Sequence, residues 1–267
     1  MIYYSRLYRA AGEGAACEGY PFHVPAIRAL GEVCFDREIT LICGNNGSGK
    51  STLMELLAQK MNAVRIGEGV LPRKNALLDA QDVFTLARRM HPSRCFYFSA
   101  EEFIAYIVWV ENTKQEARRE MQRIDEDDSI ADKAYAKMPW ARTLYDLEEL
   151  YAGDLARQSH GEGFLDFFRS RLKPGGVYLL DEPEGALSYE NQYVLALLIQ
   201  DAVRHQKCQF ILATHSPVLT ALPGAQVYRL SENGFEETAY AELPDVQFLK
   251  LFLERHQRML ADEEDED

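Results

Sequence analysis

The sequence predicts an α/β protein built on a partly parallel sheet, and three observations carry that expectation. Runs of β-branched and aromatic residues alternate with longer stretches of helical period, the order expected when strands are joined by crossover helices. One such run, Ile39-Thr40-Leu41-Ile42-Cys43, meets a glycine-rich turn that leads straight into a helical stretch. The chain has 267 residues, 47% of them hydrophobic, enough for an ordinary core in one large domain or two small ones.

Taken in order, Ile2 to Tyr8 and the region Cys34 to Cys43 read as strands, and a helix is expected over Lys50–Met61. Asn75 to Met90 has helical periodicity and is stopped by His91-Pro92, after which Cys95-Phe96-Tyr97-Phe98 reads as a buried strand. A long helix is expected from near Glu102 to the acidic run Asp125–Asp128, and another over Ala141–Tyr151. Residues 103–157 therefore read as a helical subdomain inserted into a core made of 1–102 and 158–260. Beyond it, Val177–Leu180, Gln209–Ala213 and Gln226–Leu230 read as strands, with helices over Tyr189–His205 and Val246–Leu260. The remainder, 261–267, is an acidic tail.

With 29 Lys+Arg against 42 Asp+Glu the formal charge is −13, and Asp262 to Asp267 supply six of the negative charges. That balance argues against a generic basic surface for polyanions. Arg65, Arg73-Lys74, Arg88-Arg89 and Arg94 can line a nucleic-acid path or be scattered surface charge; charge alone does not support the first. No apolar stretch approaches the roughly 20 residues of a membrane-spanning helix, and the N-terminus lacks secretory-signal blocks. The expectation is a cytoplasmic protein without membrane insertion. Five cysteines, Cys17, Cys34, Cys43, Cys95 and Cys208, show no zinc spacing and read as reduced, buried thiols.

The strongest motif is Gly44-Asn45-Asn46-Gly47-Ser48-Gly49-Lys50-Ser51-Thr52, which fits GxxxxGK[ST] between an apolar strand and a helix. Its glycines let successive backbone N–H groups turn toward phosphate oxygens at the positive end of the helix. Lys50 suits the β- and γ-phosphates and the Ser51 hydroxyl suits Mg²⁺. Kinases, GTPases and ATPases all share this much. A second motif, Leu179-Leu180-Asp181-Glu182-Pro183, ends a buried strand in two acids 131 residues after Lys50. There Asp181 can serve the Mg²⁺ shell and Glu182 can polarise a water beside the γ-phosphate. A third, Ala213-Thr214-His215-Ser216-Pro217, ends another apolar strand 34 residues after Asp181 and brings His215 within reach of the same phosphate or water.

In this order the motifs resemble those of the ABC-type ATPases, particularly the branch related to chromosome-maintenance and DNA-repair ATPases, and a compact group of predicted ATPases within it. The residues that carry the resemblance are Gly44–Thr52 (Walker A), Gln158-Ser159-His160-Gly161-Glu162-Gly163 (signature), Leu179–Pro183 (Walker B), Glu184-Gly185-Ala186-Leu187-Ser188 (D-loop) and Thr214-His215 (switch histidine). Tyr20-Pro21-Phe22 and Leu-Leu-Asp-Glu-Pro-Glu add to it, and Ser159 precedes Asp181 by 22 residues, as is usual in that family. The resemblance implies a P-loop NTPase fold of ABC-ATPase type: a mixed sheet, flanking helices and a helical subdomain between Walker A and the signature. It implies ATP and Mg²⁺ as ligands, with Asn45, Asn46, Gly47, Ser48, Gly49, Lys50, Ser51 and Thr52 binding ATP and Ser51 and Asp181 holding the metal. Lys50, Glu182 and His215 would be the catalytic groups. It also implies an ATP-dependent homodimer in which Ser159, His160, Gly161 and Glu162 of one copy face Walker A of the other.

The departures are equally specific. Gln158, His160 and Glu162 differ from the Leu-Ser-Gly-Gly-Gln signature common in transporters. The Q-loop position falls in Phe98–Phe103, where Glu101 has two readings, a contact to metal or water and an exposed acid. Tyr20 or Phe22 can stack on adenine or pack in the core. The leading expectation is an ATPase acting as motor or switch for an unidentified protein partner, in DNA maintenance or defence. The alternatives are the ATP-binding subunit of a membrane transporter and a nucleotide-binding scaffold without turnover.

Overall fold

The computed structural model describes residues 1–10, 19–67, 83–149, 160–231 and 234–260. Its strands are β1 (Tyr4–Arg9), β2 (Glu32–Cys34), β3 (Ile39–Gly44), β4 (Val64–Arg65), β5 (Phe84–Arg88), β6 (Cys95–Ser99), β7 (Val177–Asp181), β8 (Gln209–Ala213), β9 (Gln226–Ser231) and β10 (Gly234–Glu237). The α-helices are α1 (Pro25–Arg28), α2 (Lys50–Lys60), α3 (Ala100–Glu126), α4 (Lys133–Glu149), α5 (His160–Arg171), α6 (Tyr189–Gln206) and α7 (Pro244–Met259).

Seven strands form one sheet in the order β10-β9-β3-β8-β7-β6-β4, parallel throughout except for β10 against β9. Its central strands are buried on both faces, as parallel strands covered by crossover helices must be. Side chains alternate between two cores. Leu41, Phe96, Phe98, Tyr178, Leu180, Phe210 and Leu212 pack on one face with Phe103 of α3, Phe164 and Phe168 of α5 and Ile199 of α6. Ile42, Tyr97, Val177, Leu179, Ile211 and Ala213 pack on the other, with Leu53, Met54, Leu56 and Leu57 of α2 and with a second, antiparallel sheet.

That second sheet has the order β2-β1-β5, and it corrects one expectation. Phe84–Arg88, read from sequence as the end of a helix, is strand β5, paired with β1 from Arg9 opposite Phe84 to Tyr4 opposite Arg88. The reason is tertiary: Phe84-Thr85-Leu86 suits a pleated, half-buried surface, and pairing with the edge of β1 outweighs local helical period. The rest of that expected helix, 75–82, lies outside the described residues, as does the acidic tail.

Gln209 joins the two sheets. Its fully buried carboxamide accepts from the backbone N–H of Tyr3 and Tyr4 at 2.8 and 3.0 Å and donates to the Tyr4 carbonyl at 2.8 Å. Helix α3 leaves β6 without a linker, and its first turns belong to the main core through Phe103, Tyr106 and Val110. Its remaining length packs against α4, and the turn between them is tied by the Ser129 N–H and hydroxyl donating to Asp127. At about 1.5 Å per residue, α3 is about 40 Å long. Among the described cysteines, Cys43, Cys95 and Cys208 are buried free thiols and Cys34 is a half-buried one; Cys17 lies outside them.

Replacing Gln209 with Met keeps the volume but leaves three buried backbone groups without partners. The expected loss is on the order of 3 kcal/mol, read as a lower urea midpoint, with ligand affinity at the far edge of the sheet unchanged.

Candidate functional site

The sheet order brings the three motifs to one edge. Strand β8 lies between β3 and β7, so Ile42, Ala213, Asp181 and Ser99 stand side by side at the C-terminal ends of β3, β8, β7 and β6. Two hydrogen bonds carry that alignment past the strand ends: the Thr214 N–H donates to the Ile42 carbonyl and the Glu182 N–H to the Ala213 carbonyl. Ligands of open α/β sheets bind at such an edge.

The glycine-rich loop leaves β3 at Gly44 and enters α2 at Lys50, with the Ser48 N–H donating to the Asn45 carbonyl across the turn. Gly49 has a φ of +97°, and a Cβ there would lie 2.3 Å from Val24 Cγ1. The loop is thus backed by the segment entering α1, which also receives the Ser48 carbonyl on the Ala26 N–H. Asn45, Asn46 and Gly47 are exposed, while Ser48 and Thr52 are half-buried.

Lys50 is only 3% exposed, and its ammonium donates to the Gly44 and Asn45 carbonyls at 3.0 and 3.3 Å. It lies 2.6 Å from His215 Nε2. An ammonium has no lone pair, so Nε2 is the acceptor and the imidazole proton sits on Nδ1. Glu182 Oε1 stands 3.5 Å from both Lys50 Nζ and His215 Nε2. Glu182 itself holds left-handed backbone angles, φ 46° and ψ 50°, uncommon for a residue with a side chain and frequent where function demands a particular orientation. The His215 loop is pinned by its neighbours: the His215 N–H donates to Glu184, and the Ser216 hydroxyl donates to Gln192 at 2.6 Å while accepting from the Val218 and Leu219 N–H groups.

Beside this cluster Asp181 is buried between two hydroxyls. Ser51 donates to Oδ1 at 3.1 Å and Tyr97 to Oδ2 at 3.0 Å. Burial pushes the Asp181 carboxyl up to about 7, against the lowering effect of those two hydrogen bonds and with added repulsion from Glu182 and Glu55. Burial also holds the Tyr97 phenol well above its ordinary value, so it remains a donor. Ser51 and Asp181 offer the hard oxygen atoms that Mg²⁺ prefers, and Mg²⁺ sites use few carboxylates together with phosphate oxygens. The loop also suits a phosphate, because the buried Ser48 hydroxyl lacks a hydrogen-bond partner among the described residues.

Other expected residues are placed differently. Glu101 is exposed in the first turn of α3, whereas Glu102 turns inward to pair with Arg65. Arg65 is also gripped by Glu55 through two hydrogen bonds of 2.6 and 2.5 Å, so it does not stand as a free basic surface group. Tyr20 is half exposed, its ring 5.9 Å from that of His23, and Phe22 packs on the second core. Of the signature, Ser159 lies outside the described residues, the backbone of His160 opens α5, and Gly161 and Glu162 fall in its first turn. A Cβ on Gly161 would meet Asn191 Nδ2 at 2.5 Å, which seats this turn against the start of α6. Sequence reading passed over Tyr97, Arg65, Glu55 and Glu184 as site components. The usable signal for Tyr97 was its strand parity, opposite to that of Phe96 and Phe98.

The raised Asp181 carboxyl predicts a pH signature. The folded state holds this proton more tightly than the unfolded chain, so the contribution falls as pH rises from about 4 and is fully unfavourable above about 7. Without nucleotide or divalent cation, Asp181→Asn should therefore gain thermal stability relative to wild type between pH 5 and pH 8, by a few degrees in Tm. A constant difference across that range would contradict the assignment.

Comparison with known proteins bears on the same segments. An AAA-domain family model matches residues 27–59, and an AAA-domain model named also for the AbiEii toxin of a Type IV TA system matches 96–221. The hemin import ATP-binding protein HmuV of Burkholderia pseudomallei is 26% identical over 207 residues, 73% of this chain and 74% of that protein. The macrolide export ATP-binding/permease protein MacB of Escherichia coli K12 is 28% identical over 203 residues, 74% of this chain but 29% of that longer protein. Among solved structures, the Smc head domain derived from Pyrococcus furiosus superposes with a TM-score of 0.44 at 14% identity, covering 95% of this chain and 99% of that one. With its glycine-rich loop, acidic strand end and histidine loop at one sheet edge, the chain resembles the ABC-type P-loop ATPases of the AAA/ABC superfamily, a likeness that the two AAA-domain models and the ATP-binding relatives support.

Proposed function

We propose that this chain is a Mg²⁺-dependent ATPase that closes head to tail on a second copy around two ATP molecules and passes the resulting movement to a partner protein. The observation that carries this is the convergence of Lys50, Glu182 and His215 within 3.5 Å of one another, next to the Ser51–Asp181 pair. Backbone N–H groups of Asn45 to Gly49, with Lys50 and Thr52, would cradle the phosphates. Ser51 and Asp181 would hold Mg²⁺, which supplies charge neutralisation between the β- and γ-phosphates. Glu182 is exposed enough to meet a water and would accept its proton as it attacks the γ-phosphate. His215, which lies against Lys50 through Nε2, would orient that water.

In this reading the trans contribution comes from the first turn of α5 in the second copy. Ser159, His160, Gly161 and Glu162 would face the γ-phosphate there, where helix N–H groups favour an anion. Two-fold symmetry makes two equivalent sites. The core would comprise 1–102 and 158–260, with the α3–α4 hairpin as the inserted subdomain; the first turns of α3 remain part of the main core. No helix among the described residues is long and apolar enough to cross a membrane. A second reading, the ATP-binding subunit of a transporter, is favoured by the names of the relatives at 26% and 28% identity. It would require a membrane partner bound in a nucleotide-independent way.

The test is mass in solution for wild type and Glu182→Gln, each with Mg²⁺–ATP and with ADP, with phosphate release followed in parallel. A dimer formed only with ATP and accumulated by the variant, together with a loss of turnover of about 100-fold or more, is the expected outcome. A monomer under every condition with unchanged turnover would overturn the proposal.

A further inference from the structure

Tyr97 lies outside the three motifs, yet among the described residues its hydroxyl is one of two groups that hold the Asp181 carboxylate. It is 2% exposed and projects from β6 on the face covered by α2. The Arg65 guanidinium stacks 4.5 Å from its ring centroid, and Arg65 is in turn held by Glu55 of α2 and Glu102 of α3. Ser51 and Glu55 are four residues apart and so share one face of α2. One flank of that helix touches Asp181 directly, and the next turn reaches it through Arg65 and Tyr97.

We propose that Tyr97 is a positioning residue for the metal-holding carboxylate: by donating to Oδ2 it fixes the plane of Asp181 so that Oδ1 and the Ser51 hydroxyl face a divalent cation together. This rests on the Mg²⁺–ATP reading above. The clamp on Arg65 serves the same end, because a guanidinium stacked on the ring and tied to two helices limits how far the phenol can swing. Partners that orient a metal ligand change metal affinity by about 10–100-fold when removed, even though they never touch the metal. Tyr97→Phe keeps the ring and its stacking with Arg65 and removes only the donor.

The experiment is a titration of a fluorescent ATP analogue into wild type and Tyr97→Phe, first in EDTA and then at fixed nucleotide with increasing Mg²⁺. The expected result is an unchanged affinity in EDTA and an Mg²⁺ midpoint about tenfold higher in the variant. A merely structural role would weaken both arms together or move neither, and either pattern overturns the inference. Arg65→Gln, which loosens the ring without removing the hydroxyl, is expected to shift the Mg²⁺ midpoint in the same direction by a smaller factor. It carries the test if Tyr97→Phe does not fold; an unmoved midpoint there overturns the inference as well. Wild type that binds the analogue with no Mg²⁺ dependence would sink the metal reading itself, whereas Mg²⁺ dependence equal in wild type and variant sinks the role of Tyr97 alone.

Discussion

Two buried charges of opposite sign at one sheet edge set the terms for the rest of the structure. Lys50 is the first residue of α2, where the helix macrodipole disfavours a cation, and it is almost wholly removed from water. Asp181 is buried far enough that its carboxyl is raised to about 7. Each arrangement is unfavourable for the protein alone and, in the proposed function, would be relieved by a ligand of opposite charge, a phosphate for the lysine and a divalent cation for the carboxylate. The surrounding fold supplies the hydrogen bonds that make the arrangement tolerable: two carbonyls and an imidazole for Lys50, two hydroxyls for Asp181. A carboxyl raised by burial, as that of Asp181 is, marks functional sites more often than it serves stability.

Most of the parallel sheet was legible in the sequence, because its strands are continuous apolar runs bounded by turns and helices. Gln209–Ala213 and Cys95–Ser99 are of this type, and so are the motif positions at their ends. What was not legible depended on pairing. Phe84–Arg88 carries too short an alternation to declare itself a strand until β1 is beside it. The short strand β10 follows β9 so closely that composition marks no separate element.

The site divides in the same way. Lys50, Ser51, Asp181, Glu182 and His215 occupy motifs whose spacing encodes their chemistry, and the sheet order gathers them at one edge. Tyr97, Arg65, Glu55 and Glu102 come from a strand interior, an edge strand and two helices, and no spacing links them. Their association depends on register. Tyr97 pairs with Leu179, two residues before Asp181 on the same face of β7, so the phenol reaches the carboxylate diagonally across neighbouring strands. Arg65, read in sequence as one of several basic groups, is drawn inward because β4 places it between two acids.

The same network explains how a rigid sheet edge can be joined to a projecting element. Helix α3 begins one residue after Ser99, which stands opposite Asp181, and its first turns are packed among Phe164, Phe167 and Phe168. Glu102 therefore moves with the base of a helix about 40 Å long, while its partner Arg65 is tied to α2 through Glu55. A shift of α2 relative to β7 would act on Ser51 and Glu55 together and would reach α3 through Arg65, which is bonded to both Glu55 and Glu102. Packed cores transmit such displacements because they deform little. The α3–α4 hairpin is thereby connected to α2 by ionic contacts rather than by apolar packing alone, a connection that depends on keeping Arg65 between its two carboxylates.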